Sequence, residues 1–346
     1  MPCVNADRLW RWHMRMAQLG ATGRGGVNRP ALSTDDIELH RQLALWARER
    51  NFVVEIDAYG NQFMRRAGTD QACAPLVSGS HSDTQPTGGR FDGISGVLAA
   101  VEALEVIDDA QICTRHPIEV VIWNNEEGTR FHPSDMGSAV YVGDTPISPM
   151  LTATDQEGMS MATAVEALRS RVDWAIDRKL GVPIAAYLEL HIEQGPILEN
   201  ENIDIGIVTG IQGTRKFEVR VIGEEAHAGT TPQNHRQDAF LDAVSIVNAL
   251  RDVFHDPEDK VRFTIGRFEV SPGSLAVVPG RVLFTIDFRH PDNVVLQQLG
   301  DQVSEVCKKN AIRCSVEVVE TRNALSTSFG RLVQEVVEEC ARKRAY

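Results

Sequence analysis

The segment Gly79-Ser80-His81-Ser82-Asp83 carries an imidazole and a carboxylate two residues apart. In an extended chain this spacing points both side chains to one side, here at the end of a strand. His81 can then bind a metal ion, while Asp83 orients its ring or that of a neighbouring ligand. Taken alone, the motif also fits an ordinary surface or core histidine.

A carboxylate among glycines follows in residues 88–93, where Asp92 comes just before an apolar helix that opens at Ile94. Glycines allow the backbone to come close to a site. Asp92 can therefore bridge two cations, or it can cap the following helix. The local sequence leaves both roles open.

Two adjacent carboxylates, Glu126 and Glu127, follow an apolar run at residues 118–123. Neighbouring side chains leave the backbone in different directions. One glutamate can therefore ligate a metal while the other takes a proton from metal-bound water. A charged surface turn is the alternative.

His191 follows another alternating strand and precedes Ile-Glu-Gln-Gly-Pro. A histidine at a strand end means little by itself, but every ligand candidate here follows a strand of one predicted sheet. Two histidines and three carboxylates without a thiolate suit a pair of Zn²⁺ or Mn²⁺ ions, with Co²⁺ or Ni²⁺ as further options.

The apolar pattern predicts the scaffold that holds these residues. Ser33 to Asp36 indicates a helix N-terminus. Buried strands are predicted at residues 52–56, 75–78, 118–123 and 186–190, with helices at 96–106 and 162–172. This alternation predicts an α/β domain with a mostly parallel sheet and a ligand site at the carboxyl ends of its strands.

The pattern changes near Thr209, because residues 216–222 and 282–288 alternate like half-exposed antiparallel strands. Helical stripes run through residues 239–250 and 296–306. We predict a catalytic domain at residues 1–208 and a second domain, a four-stranded antiparallel sheet with two helices, at 209–322. A helix within 323–346 is predicted to return to the first domain.

Length and charge limit the class of protein. At 346 residues the chain favours two domains over one. Its net charge of −13 repels phosphate backbones and anionic lipids, so we predict neither a nucleic-acid partner nor a membrane partner. The chain has no apolar run of membrane-spanning length, and residues 1–20 lack the apolar core of a signal peptide, which predicts a cytoplasmic protein.

In order and context, these residues resemble the M20 metallopeptidase-like amidohydrolases. The resemblance is closest to the branch of N-carbamoyl-L-amino-acid hydrolases, β-ureidopropionases and allantoate amidohydrolases. The segments that carry it are GSHSDTQPTGGRFDGISGV, NNEEGTRF, HIEQGPILE and EEAHAGTTP.

The resemblance implies two divalent metal ions held by His81, Asp92, Glu127 and His191, with Asp92 bridging. It implies Glu126 as general base, assisted by Asp83, in the attack of a metal-activated hydroxide on a ureido carbonyl. The products would be ammonia and carbon dioxide. The substrate would be a small N-carbamoyl or ureido acid.

The same resemblance makes the second domain a lid and homodimerisation domain at residues 209–322. It implies substrate contacts from Gln194, Arg215, His227 and Arg289. Arg289 can hold a carboxylate with two parallel hydrogen bonds, and His227 can polarise the scissile carbonyl. A surface ion pair for Arg289 and a turn histidine for His227 are the alternatives. Ala276 stands where the family normally has a substrate-binding Asn.

The family also continues with a Gly-His-Asp segment that carries the last metal ligand. None of the ten histidines of this sequence lies beyond His290. We therefore expect the second metal site to lack its C-terminal histidine and the rest of the catalytic domain to be absent. The alternatives to a full hydrolase are a catalytically impaired homologue that acts as a dimeric binding protein, and an aminopeptidase-like enzyme.

Overall fold

The computed structural model describes residues 3–344. The chain divides into two compact units, Met1–Asn202 and Ile203–Tyr346. Among the helices within residues 3–344, none is both long enough and apolar enough to cross a membrane.

The first unit is a layered α/β structure. Its helices are α1 (Ala6–Met16), α2 (Thr34–Glu49), α3 (Ile94–Asp109), α4 (Met136–Val142), α5 (Ile147–Leu151), α6 (Met161–Arg171) and α7 (Ile197–Glu201). Its strands are β1 (Val53–Ile56), β2 (Gln62–Arg66), β3 (Leu76–His81), β4 (Ile118–Trp123), β5 (Ile176–Asp177) and β6 (Ala186–Leu188).

These strands form one sheet in the order β5-β1-β2-β4-β3-β6. The pairs β1/β5, β3/β4 and β3/β6 are parallel, whereas β2 is antiparallel to both of its neighbours. The prediction of a mostly parallel sheet is confirmed. The sequence pattern missed β2 because Gln62, Arg65 and Arg66 interrupt its apolar run.

The strands β3 and β4 lie side by side in parallel, with His81 opposite Trp123 at their carboxyl ends. The segments that leave these two ends therefore start next to each other. The predicted strand at residues 186–190 is too long, because β6 ends at Leu188. His191 consequently lies in the loop after the strand rather than at its last position.

Helix α2 forms because Ser33 caps it, the serine side chain accepting a hydrogen bond from the Asp36 amide. Its inner side buries Leu39, Leu43 and Ala47 in the main core of the unit. Helix α1, which packs on α3, was not predicted from the apolar pattern.

The second unit has the strands β7 (Gly210–Ile211), β8 (Gly213–Ile222), β9 (Ala226–His227), β10 (Arg262–Ser271), β11 (Val277–Val278), β12 (Arg281–His290), β13 (Ser315–Ala324) and β14 (Thr327–Ser328). Its helices are α8 (Ala239–Val253), α9 (Asn293–Asn310) and α10 (Arg331–Arg344). The main sheet has the order β10-β12-β8-β13 and is antiparallel throughout.

Burial alternates along β8, so that Phe217, Val219 and Val221 enter a core shared with α8 and α9. The predicted four-stranded antiparallel sheet with two helices is confirmed. The predicted domain limits and the return of residues 323–346 to the first domain stay predictions.

Candidate metal centre

His81 ends β3 at the centre of the candidate site and is almost fully buried. Gly93, the residue before α3, packs directly against its ring. The φ angle of Gly93 is +63°, and a Cβ added there would lie 2.4 Å from His81 Cε1. Only glycine combines this backbone conformation with so close an approach. The glycine therefore allows the loop with Asp92 to meet the imidazole.

One ligand group consists of His81, Asp92 and His191, whose ligand atoms all lie within 4.8 Å of one another. His191 Nε2 is 3.4 Å from Asp92 Oδ1. Two ligands about 2.0–2.1 Å from a tetrahedral zinc ion are about 3.3–3.4 Å apart. The separation in this structure therefore suits one cation held between the two atoms.

Backbone carbonyls fix the tautomer of both histidines. His81 Nδ1 lies 2.8 Å from the Asp83 carbonyl oxygen, and His191 Nδ1 lies 2.9 Å from that of Ile192. A carbonyl can only accept, so each Nδ1 carries a proton and each Nε2 is the nitrogen that remains to bind a cation. Both rings are thus oriented as metal ligands usually are.

A second ligand group shares His81 and adds Glu126 and Glu127, again within 4.8 Å. His81 Nε2 is 3.6 Å from Glu126 Oε2. Gln85 holds the neighbouring glutamate, because its Nε2 donates to Glu127 Oε2 at 2.5 Å. The sequence motif gave no sign of this contact, since it depends on how two loops meet.

Asp83 connects the two loops beneath these ligands. Its buried carboxylate accepts hydrogen bonds from the amides of Glu126, at 3.2 Å, and Glu127, at 3.1 Å. Its Oδ1 is also 3.8 Å from His81 Nδ1. Burial raises the pKa of Asp83, while the charge of His81 opposes that shift. Asp83 therefore orients both the imidazole and the backbone that carries the two glutamates.

Two carboxylate oxygens support the presence of cations. Asp92 Oδ1 and Glu127 Oε1 are buried and have no hydrogen-bond partner within residues 3–344. A buried, unpaired carboxylate oxygen is costly. One such atom belongs to each ligand group, so the imidazole and carboxylate donors fit divalent ions such as Zn²⁺ or Mn²⁺ at both places.

The structure excludes one of the two roles left open for Asp92, that of capping α3. The N-cap residue of α3 is Gly93, and no side chain caps the helix. Asp92 instead receives a hydrogen bond at Oδ2 from Gln194 Nε2, at 2.7 Å. Gln194, predicted as a substrate contact, therefore lies beside the metal ligands with a left-handed φ of +55°.

The three remaining predicted substrate residues belong to the second unit. His227 is exposed in β9, and its Nδ1 accepts from the amides of Gly229 at 3.0 Å and Thr230 at 3.3 Å. Its Nε2 therefore carries the proton and can donate to a ligand. Ala276 lies close to His227, because its carbonyl oxygen accepts a hydrogen bond from the amide of the next residue, Ala228, at 2.9 Å.

Arg289 and Arg215 differ sharply. Arg289 in β12 is 54% exposed, with only 3.4 Å contacts to Asp287. Arg215 is buried, and its guanidinium donates to Glu320 at 2.7 Å and to Asp301 at 2.8 Å. Arg289 thus forms the surface ion pair given as the alternative, with a guanidinium that is still exposed to solvent. Arg215 holds β8, β13 and α9 together, and we leave it out of the proposed substrate contacts.

Residues 77–344 match the sequence profile of peptidase family M20/M25/M40. The chain is 38% identical to an N-carbamoyl-L-amino-acid amidohydrolase of Rhizobium meliloti, over 99% of this chain and 82% of that protein. It is 34% identical to an allantoate amidohydrolase of Bacillus subtilis, over 87% of this chain and 74% of that protein. A solved hydantoinase/carbamoylase family amidase from Burkholderia ambifaria is similar with a TM-score of 0.87 and 40% identity, over 100% of this chain and 85% of that one.

Proposed function

Because the chain belongs to peptidase family M20/M25/M40 and is one of its amidohydrolases, we propose that it hydrolyses the ureido bond of a small N-carbamoyl amino acid or ureido acid. The single observation that carries this proposal is the pair of ligand groups that share His81, each with a buried, unpartnered carboxylate oxygen. The relatives named above act on N-carbamoyl amino acids and allantoate.

The cations that these groups would hold supply Lewis-acid polarisation of the scissile carbonyl and lower the pKa of an attacking water. His81, Asp92 and His191 would hold the first cation. Glu127, with Asp92 as the shared carboxylate, would hold the second. Asp83 keeps His81 and the segment from Glu126 to Glu127 in place by the contacts described above.

Glu126 is the proposed general base. It is half-buried beside His81, and burial raises the pKa of its carboxyl group, while the charge of His81 opposes the shift. A raised pKa brings a carboxylate nearer to the range in which it can accept a proton and later release it. Glu126 would thus take a proton from water and deliver it to the departing amine.

His227 and Arg289 are the proposed substrate contacts in the second unit. The Nε2 proton of His227 is available to polarise a carbonyl oxygen. The exposed guanidinium of Arg289 suits a substrate carboxylate, for which it offers two parallel donors. Gln194 is proposed as a third contact, since its amide oxygen stays available when its Nε2 donates to Asp92.

The proposal is tested by ammonia release. The chain is stripped of metal, reloaded with Zn²⁺, Mn²⁺, Co²⁺ or Ni²⁺, and assayed with N-carbamoyl-L-amino acids, β-ureidopropionate and allantoate. We expect turnover with at least one metal and substrate class. Glu126→Gln should lower kcat by about 10²–10⁴-fold while leaving the metal content unchanged.

Three results would contradict the proposal. Absence of turnover with every metal, together with binding of one metal or none, would favour the impaired homologue. Cleavage of peptides instead of ureido acids would favour the aminopeptidase-like enzyme. Turnover that Glu126→Gln does not change would remove Glu126 as the base.

We further propose a homodimer through residues 209–322. Strand β10 is an edge of the main sheet of this unit. Apolar side chains are exposed on β10 and on the adjacent helix α8, where Phe268 and Phe240 meet with ring centroids 6.2 Å apart and Leu241 is 59% exposed. Pairing this edge with a second copy would cover that surface. Sedimentation analysis would find the mass of two chains.

A cytoplasmic location stays a prediction from composition.

A further inference from the structure

A buried polar cluster lies behind the metal centre, and Arg29, Asp36 and His40 in it lie outside every motif assigned to that centre. It consists of Arg29, Asp36, His40, Ser82 and Thr84, all with side chains almost completely excluded from solvent. We infer that Arg29 and Asp36 are positioning residues that fix the segment 82–84, and through it His81 and Asp83, in the geometry that binds metal. This inference rests on the proposed metal centre.

Asp36 holds the segment from the N-terminus of α2. Its Oδ1 accepts from the Ser82 hydroxyl at 2.6 Å, and its Oδ2 accepts from the Leu32 amide at 2.8 Å. The short distance is that of a hydroxyl bonded to a charged carboxylate. Ser82 stands between His81 and Asp83 in the chain, so its side chain ties their backbone to α2.

Arg29 holds the same segment by three further hydrogen bonds. Its Nε donates to the Ser82 carbonyl at 2.9 Å, its backbone amide donates to Thr84 Oγ1 at 2.8 Å, and its carbonyl accepts from the Thr84 amide at 2.9 Å. The guanidinium is also the counter-charge of Asp36, with 4.0 Å between Arg29 Nε and Asp36 Oδ1. Both flanks of Asp83 are therefore fixed.

The effect extends from Asp83 to the second loop. Asp83 accepts from the amides of Glu126 and Glu127, so a shift of Asp83 displaces the proposed base and a ligand together. Residues 29 and 36 touch none of the ligands. They act through the position of segment 82–84, as supporting residues around metal sites do.

The matched control for Asp36 is Glu102. This carboxylate is equally buried, pairs with Arg8 at 2.6 Å and accepts a backbone hydrogen bond from Asn5 at 2.7 Å. It lies on α3 and joins that helix to α1, away from segment 82–84. Asp36→Asn and Glu102→Gln therefore remove comparable buried charges, only one of which contacts the metal-binding loop.

The experiment measures three quantities on the full chain: thermal unfolding without metal, Zn²⁺ affinity by competition with a chromophoric chelator, and the visible spectrum of the Co²⁺-loaded protein. Both variants should lower the unfolding temperature. Asp36→Asn should also weaken Zn²⁺ binding about 10–100-fold and change the Co²⁺ bands, whereas Glu102→Gln should leave both as in the parent chain.

Ser82→Ala removes only the hydroxyl, and this variant takes the place of Asp36→Asn in the experiment if Asp36→Asn does not fold. It should reproduce the change in Co²⁺ spectrum to a smaller degree, and Ser82→Thr, which restores a hydroxyl, should reverse it. If the Asp36 and Ser82 variants keep the parental affinity and spectrum, these residues are merely structural and the inference fails. If the parent chain binds no Zn²⁺ or Co²⁺, the proposed metal centre itself fails.

Discussion

The two ligand groups that share His81 differ in how much of each is committed to metal binding. The group of His81, Asp92 and His191 has two imidazoles whose tautomers are set by backbone carbonyls. In the group of His81, Glu126 and Glu127, the one free nitrogen of His81 is already needed by the first cation, and Glu126 is proposed as the base. Glu127 is therefore the ligand of this group that remains for the second cation, with Asp92 as the shared carboxylate.

The two cations should therefore not bind equally. The first group offers three ligands within one unit, whereas the second cation depends on Asp92, which the first already uses. We therefore expect this chain to fill the first group at lower metal concentration. Substitutions in the two groups should therefore affect the amount of bound metal and the rate of turnover differently.

The largest expected effect is that of His191→Ala compared with Glu127→Ala. His191→Ala removes a ligand of the tighter group. The loss of Zn²⁺ affinity should exceed the loss of about 10–100-fold that is typical when a residue supporting the ligands is substituted. Glu127→Ala should leave one tightly held Zn²⁺ and abolish most turnover. Metal analysis after dialysis measures both. Equal losses of the first Zn²⁺ in the two variants would contradict the expected difference between the two groups.

A smaller effect is expected at Gly93, whose substitution disturbs the shared residue. In Gly93→Ala the new Cβ would meet the His81 ring, and the left-handed backbone adds a cost of about 1–2 kcal/mol. Because Gly93 also follows Asp92 directly, and Asp92 is the carboxylate proposed to be shared by both cations, Zn²⁺ affinity should fall at both by a similar factor. Chelator competition at one and two equivalents of Zn²⁺ measures this.

Gly89→Ala is the control for Gly93→Ala. Gly89 lies in the same loop, and a Cβ added there has no neighbour within 4 Å among the described residues. This variant should bind metal like the parent chain. If Gly93→Ala also binds like the parent, or weakens the binding of one cation only, the sharing of Asp92 is contradicted.

The sequence predicted four of the six strands of the first sheet and the antiparallel sheet with two helices of the second unit, because those depend on local periodicity. It placed the proposed ligands near one another because the carboxyl ends of parallel strands meet at one edge. It could not decide whether Asp92 caps α3 or faces the histidines, since that depends on the turn at Gly93. It recognised Ser33 to Asp36 as a helix start. It could not show that Asp36 also reaches Ser82, because that contact joins residues 46 positions apart.

The substrate residues were the least predictable. A basic residue in a strand looks the same whether its guanidinium is exposed, as in Arg289, or taken by Glu320 and Asp301, as in Arg215. The neighbours that decide the matter come from β13 and α9, far along the chain. The proposed substrate contacts therefore needed the fold, whereas the proposed ligands did not.

The most direct test of the unequal metal centre is anomalous diffraction from crystals of the chain grown with one equivalent of Zn²⁺. We predict one strong peak between His81 Nε2, Asp92 Oδ1 and His191 Nε2. A stronger peak beside Glu126 and Glu127, or no peak near His81, would contradict it.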